Sequence, residues 1–202
     1  MNFNQTARIF LPMVLFCATA SASISTFNFD SDALGTSTTF TDTVNGLSAT
    51  FSSSADPGGF VVYPSMFETL TGNVLGDPGP AFQNNLALNG NFSQNLSAIT
   101  LDFATSDFIT PSPFTLTAYQ NSALVGSATL TGQFLAGFTF PEGEIAFAGG
   151  PFNQVVLSSA AADFAVDNIN VLTATPEPGS IGILATGLIL LGAARKRFTA
   201  RK

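Results

Sequence analysis

The sequence predicts an all-β protein, an antiparallel β-sandwich of jelly-roll-like form, flanked by an N-terminal signal-peptide helix and a C-terminal transmembrane helix. Two observations predict the sandwich. Apolar and polar residues alternate with a period of two, as from Ile99 to Ala104, which is the pattern of a strand with one buried face. Many such short segments are separated by turn residues, with no amphipathic helical stretch between them. A β-solenoid is the alternative fold, although no strong internal repeat supports it.

Residues 1–22 are predicted to be a signal peptide. Arg8 precedes an apolar run, residues 9–18, which has the length of a signal-peptide core. Ala20 and Ala22 then supply the small residues that signal peptidase requires, so cleavage is expected after Ala22. A buried core helix is the alternative for the same run.

Residues 23–173 are predicted to form the β-sandwich domain, with phenylalanine as its main packing residue. Strands are predicted at residues 24–29, 38–44, 47–53, 60–63, 85–88, 99–104, 114–119, 123–130, 144–148, 154–158 and 163–172. Turns are predicted where Gly, Pro, Asn and Asp cluster. These positions are 45–46, 56–59, 76–80, 89–90, 141–143 and 149–151.

The alternation slips within the last predicted strand. Phe164 and Val166 share one face, whereas Ile169 and Val171 share the other. A slip of one residue is how a β-bulge arises. The sequence therefore predicts a bulge near residues 167–168.

A structural calcium site is the one cofactor site that the sequence suggests. The first and last strands of sandwiches are often neighbours, so Asp30, Asp32 or Asp102 would lie near Asp167 and Asn168. Carboxylate and carbonyl oxygens are the ligands that Ca²⁺ prefers. The alternative is that these residues serve the bulge and turns by hydrogen bonding to nearby backbone. No other cofactor is expected.

Residues 174–202 are predicted to be a sorting tail in three parts. The motif Pro176-Glu177-Pro178-Gly179-Ser180 is expected to be extended and accessible, because its prolines exclude regular helix. Residues 180–194 are apolar on almost every side and predict a transmembrane helix. Arg195, Lys196 and Arg197 would hold the end of that helix in the cytoplasm. A packed terminal helix is the alternative.

This tail resembles the PEP-CTERM sorting domain of exported bacterial proteins, because motif, apolar span and basic end follow one another in that order. The resemblance covers residues 173–202 and implies that an exosortase-type membrane protease processes the chain. It also implies a transient stay in the inner membrane before the protein reaches the cell surface or the extracellular space. Residues 164–169 and 27–30 are similar to the last and first strands of many sandwich proteins that carry such tails.

The charge distribution excludes several functions. No Lys or Arg lies between Arg8 and Arg195, and the formal net charge is −7. Nucleic acid is therefore not an expected partner, since phosphate contacts depend on basic residues. The chain has no His, and its single Cys lies in the signal peptide, which excludes Ser-His-Asp, Cys-His and zinc chemistry from the domain. The chain is accordingly predicted not to be an enzyme.

The predicted function is that of a surface or extracellular-matrix protein associated with extracellular polysaccharide. Tyr63, Tyr119 or an exposed Phe would stack against sugar rings. Two alternatives stay open. A secreted carbohydrate-active enzyme would use a carboxylate pair, and an ice-binding protein would use a flat threonine array. The candidate pairs are Asp102 with Asp107 and Glu142 with Glu144, and the candidate threonines are Thr36, Thr38, Thr39, Thr41 and Thr43.

Overall fold

Eleven β-strands and no helix form the described part of the chain, which comprises residues 22–54, 59–77 and 86–174 of a computed structural model. These residues belong to one compact unit, Ala22–Ala174. Every strand pairing is antiparallel, so the all-β, antiparallel prediction is confirmed. The predicted signal-peptide and transmembrane helices lie outside the described residues, within which no helix suited to crossing a membrane occurs.

The strands follow the predicted order with two differences. β5 and β9 are not predicted from the sequence, and β6 and β10 each join two predicted strands into one. The strands are β1 (Ile24–Phe27), β2 (Phe40–Val44), β3 (Leu47–Ser53), β4 (Val61–Pro64), β5 (Asn73–Gly76), β6 (Ala87–Thr105), β7 (Pro113–Gln120), β8 (Ala123–Thr131), β9 (Gln133–Phe134), β10 (Pro141–Ser159) and β11 (Phe164–Thr173).

The two longest strands, β6 and β10, each span 19 residues and take part in both layers of the fold. Residues 88–92 of β6 pair with β3, and residues 96–105 pair with β11, while β10 runs beside β6 in both halves. The first layer has the order β2-β3-β6-β10-β7-β8, and the second has the order β4-β5-β11-β6-β10-β9. In the second layer β1 pairs with residues 169–172 of β11, so the first and last strands are neighbours, as predicted.

Three predicted turns are wrong, because their residues belong to strands. Residues 89–90 lie inside β6, residues 141–143 begin β10, and residues 149–151 lie inside β10. The register between the two strands shifts between Ala148 and Phe152, where they pass from one layer to the other. Gly90 is explained by close packing instead of a turn, because a Cβ atom at this position would lie only 3.2 Å from Cγ2 of Val155 on the neighbouring strand β10.

Phenylalanine side chains join the two layers. The rings of Phe103 on β6 and Phe114 on β7 are stacked with centroids 4.4 Å apart, and Phe27 on β1 meets Phe51 on β3 edge-on at 6.0 Å. Neither pair comes from strands that hydrogen-bond to each other, so both contacts cross the interior between the layers. Burial of one such side chain contributes roughly 1.5–3 kcal/mol to stability.

The predicted β-bulge in β11 is confirmed. Asp167 pairs with Asp102 and Asn170 pairs with Thr100, so two residues of β11 oppose a single residue of β6. Asn168, inside the bulge, has a φ of 49°. Asn adopts this left-handed conformation more readily than most residues do.

Candidate functional site

The outer face of the second layer is covered by the connection between β4 and β5, residues 65–72, here named the capping loop. Leu70 of this loop is fully buried and packs with Val74, Ala104 and Ala165 in a small cluster separate from the main core. The second layer is therefore apolar on both faces, with the main core on one side and the capping loop on the other.

Buried carboxylates hold the capping loop by its backbone N–H groups. Glu142 on β10 accepts hydrogen bonds from the Glu68 N–H at 2.9 Å and from the N–H and hydroxyl of Thr69 at 2.7 and 2.6 Å. Asp167 on β11 accepts one from the Thr71 N–H at 3.2 Å. No Lys, Arg or His lies between residues 9 and 194, so N–H and hydroxyl groups, rather than cations, contact these two carboxyl groups.

A third carboxylate fixes the end of the capping loop. Asp30 accepts a hydrogen bond from the Asn73 N–H at 2.8 Å and lies directly against Gly72, where a Cβ atom would collide with it. Gly72 also has a φ of 70°, which favours glycine. The Ser65 N–H donates to the Gly72 carbonyl at 2.8 Å and closes the loop on itself. The loop is thus fixed both internally and against the sheet.

Beside the capping loop lies a cleft of about 290 Å³, here named the aromatic cleft. It is bounded by the loop, by the residues that follow β6 and by those that precede β10. Its walls include Tyr63, Phe67, Phe108 and Phe140, together with Asp77 and Asp163.

Three phenylalanines form an open wall of the aromatic cleft. The ring of Phe140 meets Phe67 edge-on at 5.8 Å and Phe108 at 5.4 Å. Phe108 is 64 % exposed, and Met66, which also lines the cleft, is 62 % exposed. Large apolar side chains gathered at a concave surface are typical of binding sites.

The polar side of the aromatic cleft centres on Tyr63. Burial, assisted by the negative charges of Asp163 and Asp77, raises the pKa of the Tyr63 hydroxyl to about 12. The hydroxyl therefore keeps its proton and can donate a hydrogen bond, whereas carboxylates accept them. A ligand with several hydroxyl groups would find both a donor and acceptors here.

The segment that carries Phe108 is fixed by Asp107. This carboxylate accepts hydrogen bonds from the Thr105 hydroxyl and from the N–H and hydroxyl of Ser112, each at 2.8 Å. Asp107 is thereby committed to the loop between β6 and β7. It does not pair with Asp102, the partner that the enzyme alternative assigns to it.

The predicted Glu142–Glu144 pair is likewise not a catalytic arrangement. Glu142 is 3 % exposed and both its oxygens bind the capping loop, whereas Glu144 is exposed. The two carboxylates that do line one cleft are Asp77 and Asp163, which the sequence does not single out. They follow β5 and precede β11, two strands that pair with each other.

The other predicted contact residues lie elsewhere. Tyr119 on β7 belongs to the first layer and is not among the residues that line the aromatic cleft. Of the candidate ice-binding threonines, Thr38 is buried. Thr41 and Thr43 are exposed, but each hydroxyl forms a 2.8 Å hydrogen bond with a hydroxyl of β3. The cleft is therefore the better candidate for a ligand site.

Asp167 at the bulge is a buried acid with two other acidic residues, Asp30 and Asp102, near it. Asp167 is fully buried, and its Oδ1 atom has no hydrogen-bond partner. Burial is the main reason that the pKa of Asp167 is raised to about 7; the N–H groups of Asn168 and Thr71 oppose this rise, and the charges of Asp30 and Asp102 assist it. Among the described residues, no three His, Cys, Asp or Glu side chains are grouped to hold a metal ion. The calcium site at Asp30, Asp167 and Asn168 thus stays a prediction.

No protein-family model matches this chain, and no curated protein matches it. Among solved structures, the K2 cleaved adhesin domain of Lys-gingipain is 12 % identical, with 74 % of this chain and 99 % of that chain covered and a TM-score of 0.49. The C-terminal CBM6 of the laminarinase LamC from Zobellia galactanivorans is 13 % identical, with 58 % and 90 % covered and a TM-score of 0.35.

A third similar structure is a CBM6 from Clostridium stercorarium in complex with cellobiose. It is 14 % identical, with 61 % of this chain and 87 % of that chain covered and a TM-score of 0.37. Similarities at this level assign no function to this chain.

Proposed function

We propose that this chain is an exported, non-catalytic surface or extracellular-matrix protein that binds neutral polysaccharide in the aromatic cleft. One observation carries the proposal: the cleft combines three phenylalanine rings, of which Phe108 is exposed, with a protonated tyrosine hydroxyl and two carboxylates. Sugars present apolar C–H faces and hydroxyl edges, and this combination of groups suits both. The cleft volume of about 290 Å³ is at the small end of ligand sites, which favours a single sugar unit or a chain end.

The charge of the domain favours a neutral glycan over an anionic one. Asp77 and Asp163 line the cleft, and residues 9–194 contain no Lys, Arg or His that could neutralise an acidic sugar. A uronic acid or sulfate group would lie against carboxylates of the same charge. Affinity electrophoresis of the purified full chain through gels that contain neutral or uronate-rich polysaccharides tests this distinction. Retardation by a neutral polymer is expected, and retardation by the uronate-rich polymer alone would contradict the proposal.

The proposed route to the cell surface depends on the tail. The sorting motif Pro176-Glu177-Pro178-Gly179-Ser180 and the basic residues Arg195, Lys196 and Arg197 lie outside the described residues, as does Ala20 of the signal cleavage site. The absence of basic residues between the two basic ends supports export with both ends retained in the cytoplasm before processing. An exosortase-type protease would then remove the apolar span.

Mass spectrometry of the extracellular protein tests this route, because it reports both ends of the chain. A new N-terminus after Ala22 and a C-terminus near the motif are expected. Glu177→Ala, or removal of residues 195–197, should leave the chain in the inner membrane. Normal release of both variants would contradict processing at this tail while leaving the glycan proposal intact.

Hydrolysis of a glycan is the second candidate function, and it is favoured by one observation. Asp77 and Asp163 line the same cleft, and a pair of carboxylates on either side of a glycosidic bond is the usual machinery of glycosidases. Release of reducing sugar from a bound polysaccharide, lost in both Asp77→Asn and Asp163→Asn, would establish it. Binding without such release supports the non-catalytic function.

A further inference from the structure

The first layer ends in an open strand. β8 spans 9 residues, Ala123–Thr131, and pairs only with β7 among the described strands. The backbone N–H and C=O groups along its other side have no strand partner in the described part of the chain. An open edge of this kind is a template for a further strand.

The remaining sheet edges carry the features that normally prevent pairing. β2 has the charged residue Asp42 at its centre, and β4 is 4 residues long and ends in Pro64. β1 and β9 have only 4 and 2 residues. The side of β10 that faces away from β6 pairs with β9 only at residues 141–142, and the next residues along that side include the charged Glu144. Charge, proline and short length are the usual protections of an edge strand. β8 has none of them; its one irregularity is a bulge at Val125, and residues 126–131 pair regularly with β7.

The surface around β8 is also uncharged, and part of it is apolar. No charged residue lies between Asp107 and Glu142, whereas every charged residue in the rest of the domain is acidic. Leu124 is 66 % exposed, Leu130 is 41 % exposed, and Phe134 on the following strand is 40 % exposed. Two copies of such an acidic domain repel each other over most of their surfaces but not here.

We propose that two copies of this chain associate through β8, with residues 126–130 of each copy paired antiparallel about a two-fold axis beside Ala128. A symmetric contact of this kind sets each strand against itself, so only an uncharged strand forms it without repulsion between like charges. The first layers of the two copies would then form one continuous sheet. The association does not depend on glycan binding, although a dimer carries two aromatic clefts and would hold a polymer with higher avidity.

Ser127 offers a direct test, because its side chain is exposed and makes no described hydrogen bond. Ser127→Asp places a carboxylate from each copy near the two-fold axis. Ser122→Asp is the matched control: it adds the same charge at the exposed β7–β8 turn, outside the strand. Sedimentation velocity of the full chain in mild detergent compares the three proteins over a range of concentrations.

The expected result is a concentration-dependent dimer for the unaltered chain and for Ser122→Asp. The dimer dissociation constant of Ser127→Asp should be higher by at least about tenfold. A monomer at all concentrations for the unaltered chain, or equal association of both variants, would overturn the proposal. Amide hydrogen exchange gives a readout that needs no variant. Slower exchange of residues 126–130 at high protein concentration is expected, and exchange that is independent of concentration contradicts pairing at this edge.

Discussion

Glu142 binds Thr69 twice, because its carboxylate accepts the backbone N–H at 2.7 Å and the side-chain hydroxyl at 2.6 Å. The contact joins residues 73 positions apart and connects the capping loop to β10. Met66 and Phe67 of the same loop line the aromatic cleft. A buried acid that does not itself line the cleft therefore determines the position of one of its walls.

Replacement of Glu142 should destabilise the domain. Glu142→Gln keeps the size of the side chain but turns one acceptor oxygen into a donor that faces other donors. Because hydrogen bonds to a charged group contribute about 1.5–3 kcal/mol each, the free energy of unfolding should fall by roughly 2–4 kcal/mol. Urea denaturation measures this change. Glu144→Gln, on the same strand but exposed, should change it by less than about 0.5 kcal/mol, and equal losses in both variants would show that the capping loop is not held by Glu142.

The stability of the domain should fall as the pH rises from about 4 to about 7. The pKa of Asp167 is about 7 in the folded domain and 3.8 in the reference state, so between these values the folded state binds a proton that the unfolded state has released. Stability from this group is complete below about pH 4, is lost progressively as the pH rises towards 7, and changes little above the folded-state pKa. The loss should be on the order of 2–4 kcal/mol. Urea denaturation at pH 4.5 and pH 8 measures it.

Asp167→Asn provides the control for the pH dependence. The amide does not titrate, so the variant should keep the same stability across this interval apart from the effects of other acids. If the unaltered chain and Asp167→Asn lose stability equally between pH 4.5 and pH 8, Asp167 is not the titrating group.

Variants of Asn168 separate two contributions to stability, that of its left-handed backbone conformation and that of its side-chain hydrogen bond. Its Nδ2 atom donates to Asp102 Oδ2 at 2.9 Å, and its φ is 49°. Both variants lose the hydrogen bond. Asn168→Gly takes the left-handed conformation without strain, although it also raises the conformational entropy of the unfolded chain, whereas in Asn168→Ala the same conformation costs about 1–2 kcal/mol. The alanine variant should therefore melt at a lower temperature than the glycine variant. The reverse order in differential scanning calorimetry would contradict the left-handed conformation.

Local periodicity predicts those strands that bury one face. β3 has its predicted bounds because Leu47, Ala49 and Phe51 point into the core and polar residues alternate with them. β5 is not predicted because Val74 and Leu75 are both buried, Val74 under the capping loop and Leu75 in the main core. Its sequence therefore has no alternation to detect.

Long-range pairing accounts for the features that the sequence does not predict. Gly90 has the appearance of a turn residue, but it lies within β6 and pairs with Phe51 of β3 and Val155 of β10. Asp77 and Asp163 lie 86 positions apart in the chain and come together only because β5 pairs with β11. Tyr63 is predicted as a contact residue from the chemistry of its side chain. The two carboxylates beside it, Asp77 and Asp163, can be identified only from the pairing of β5 with β11.

The most direct measurement of the central claim is calorimetric titration of a neutral oligosaccharide into two phenylalanine variants. Phe108→Ala removes an exposed ring from the aromatic cleft, and Phe138→Ala removes an exposed ring that does not line it. Glycan binding in the cleft predicts at least about a tenfold loss of affinity for Phe108→Ala and an unchanged affinity for Phe138→Ala. Equal affinities for both variants and the unaltered chain would contradict the assignment of the cleft as the binding site.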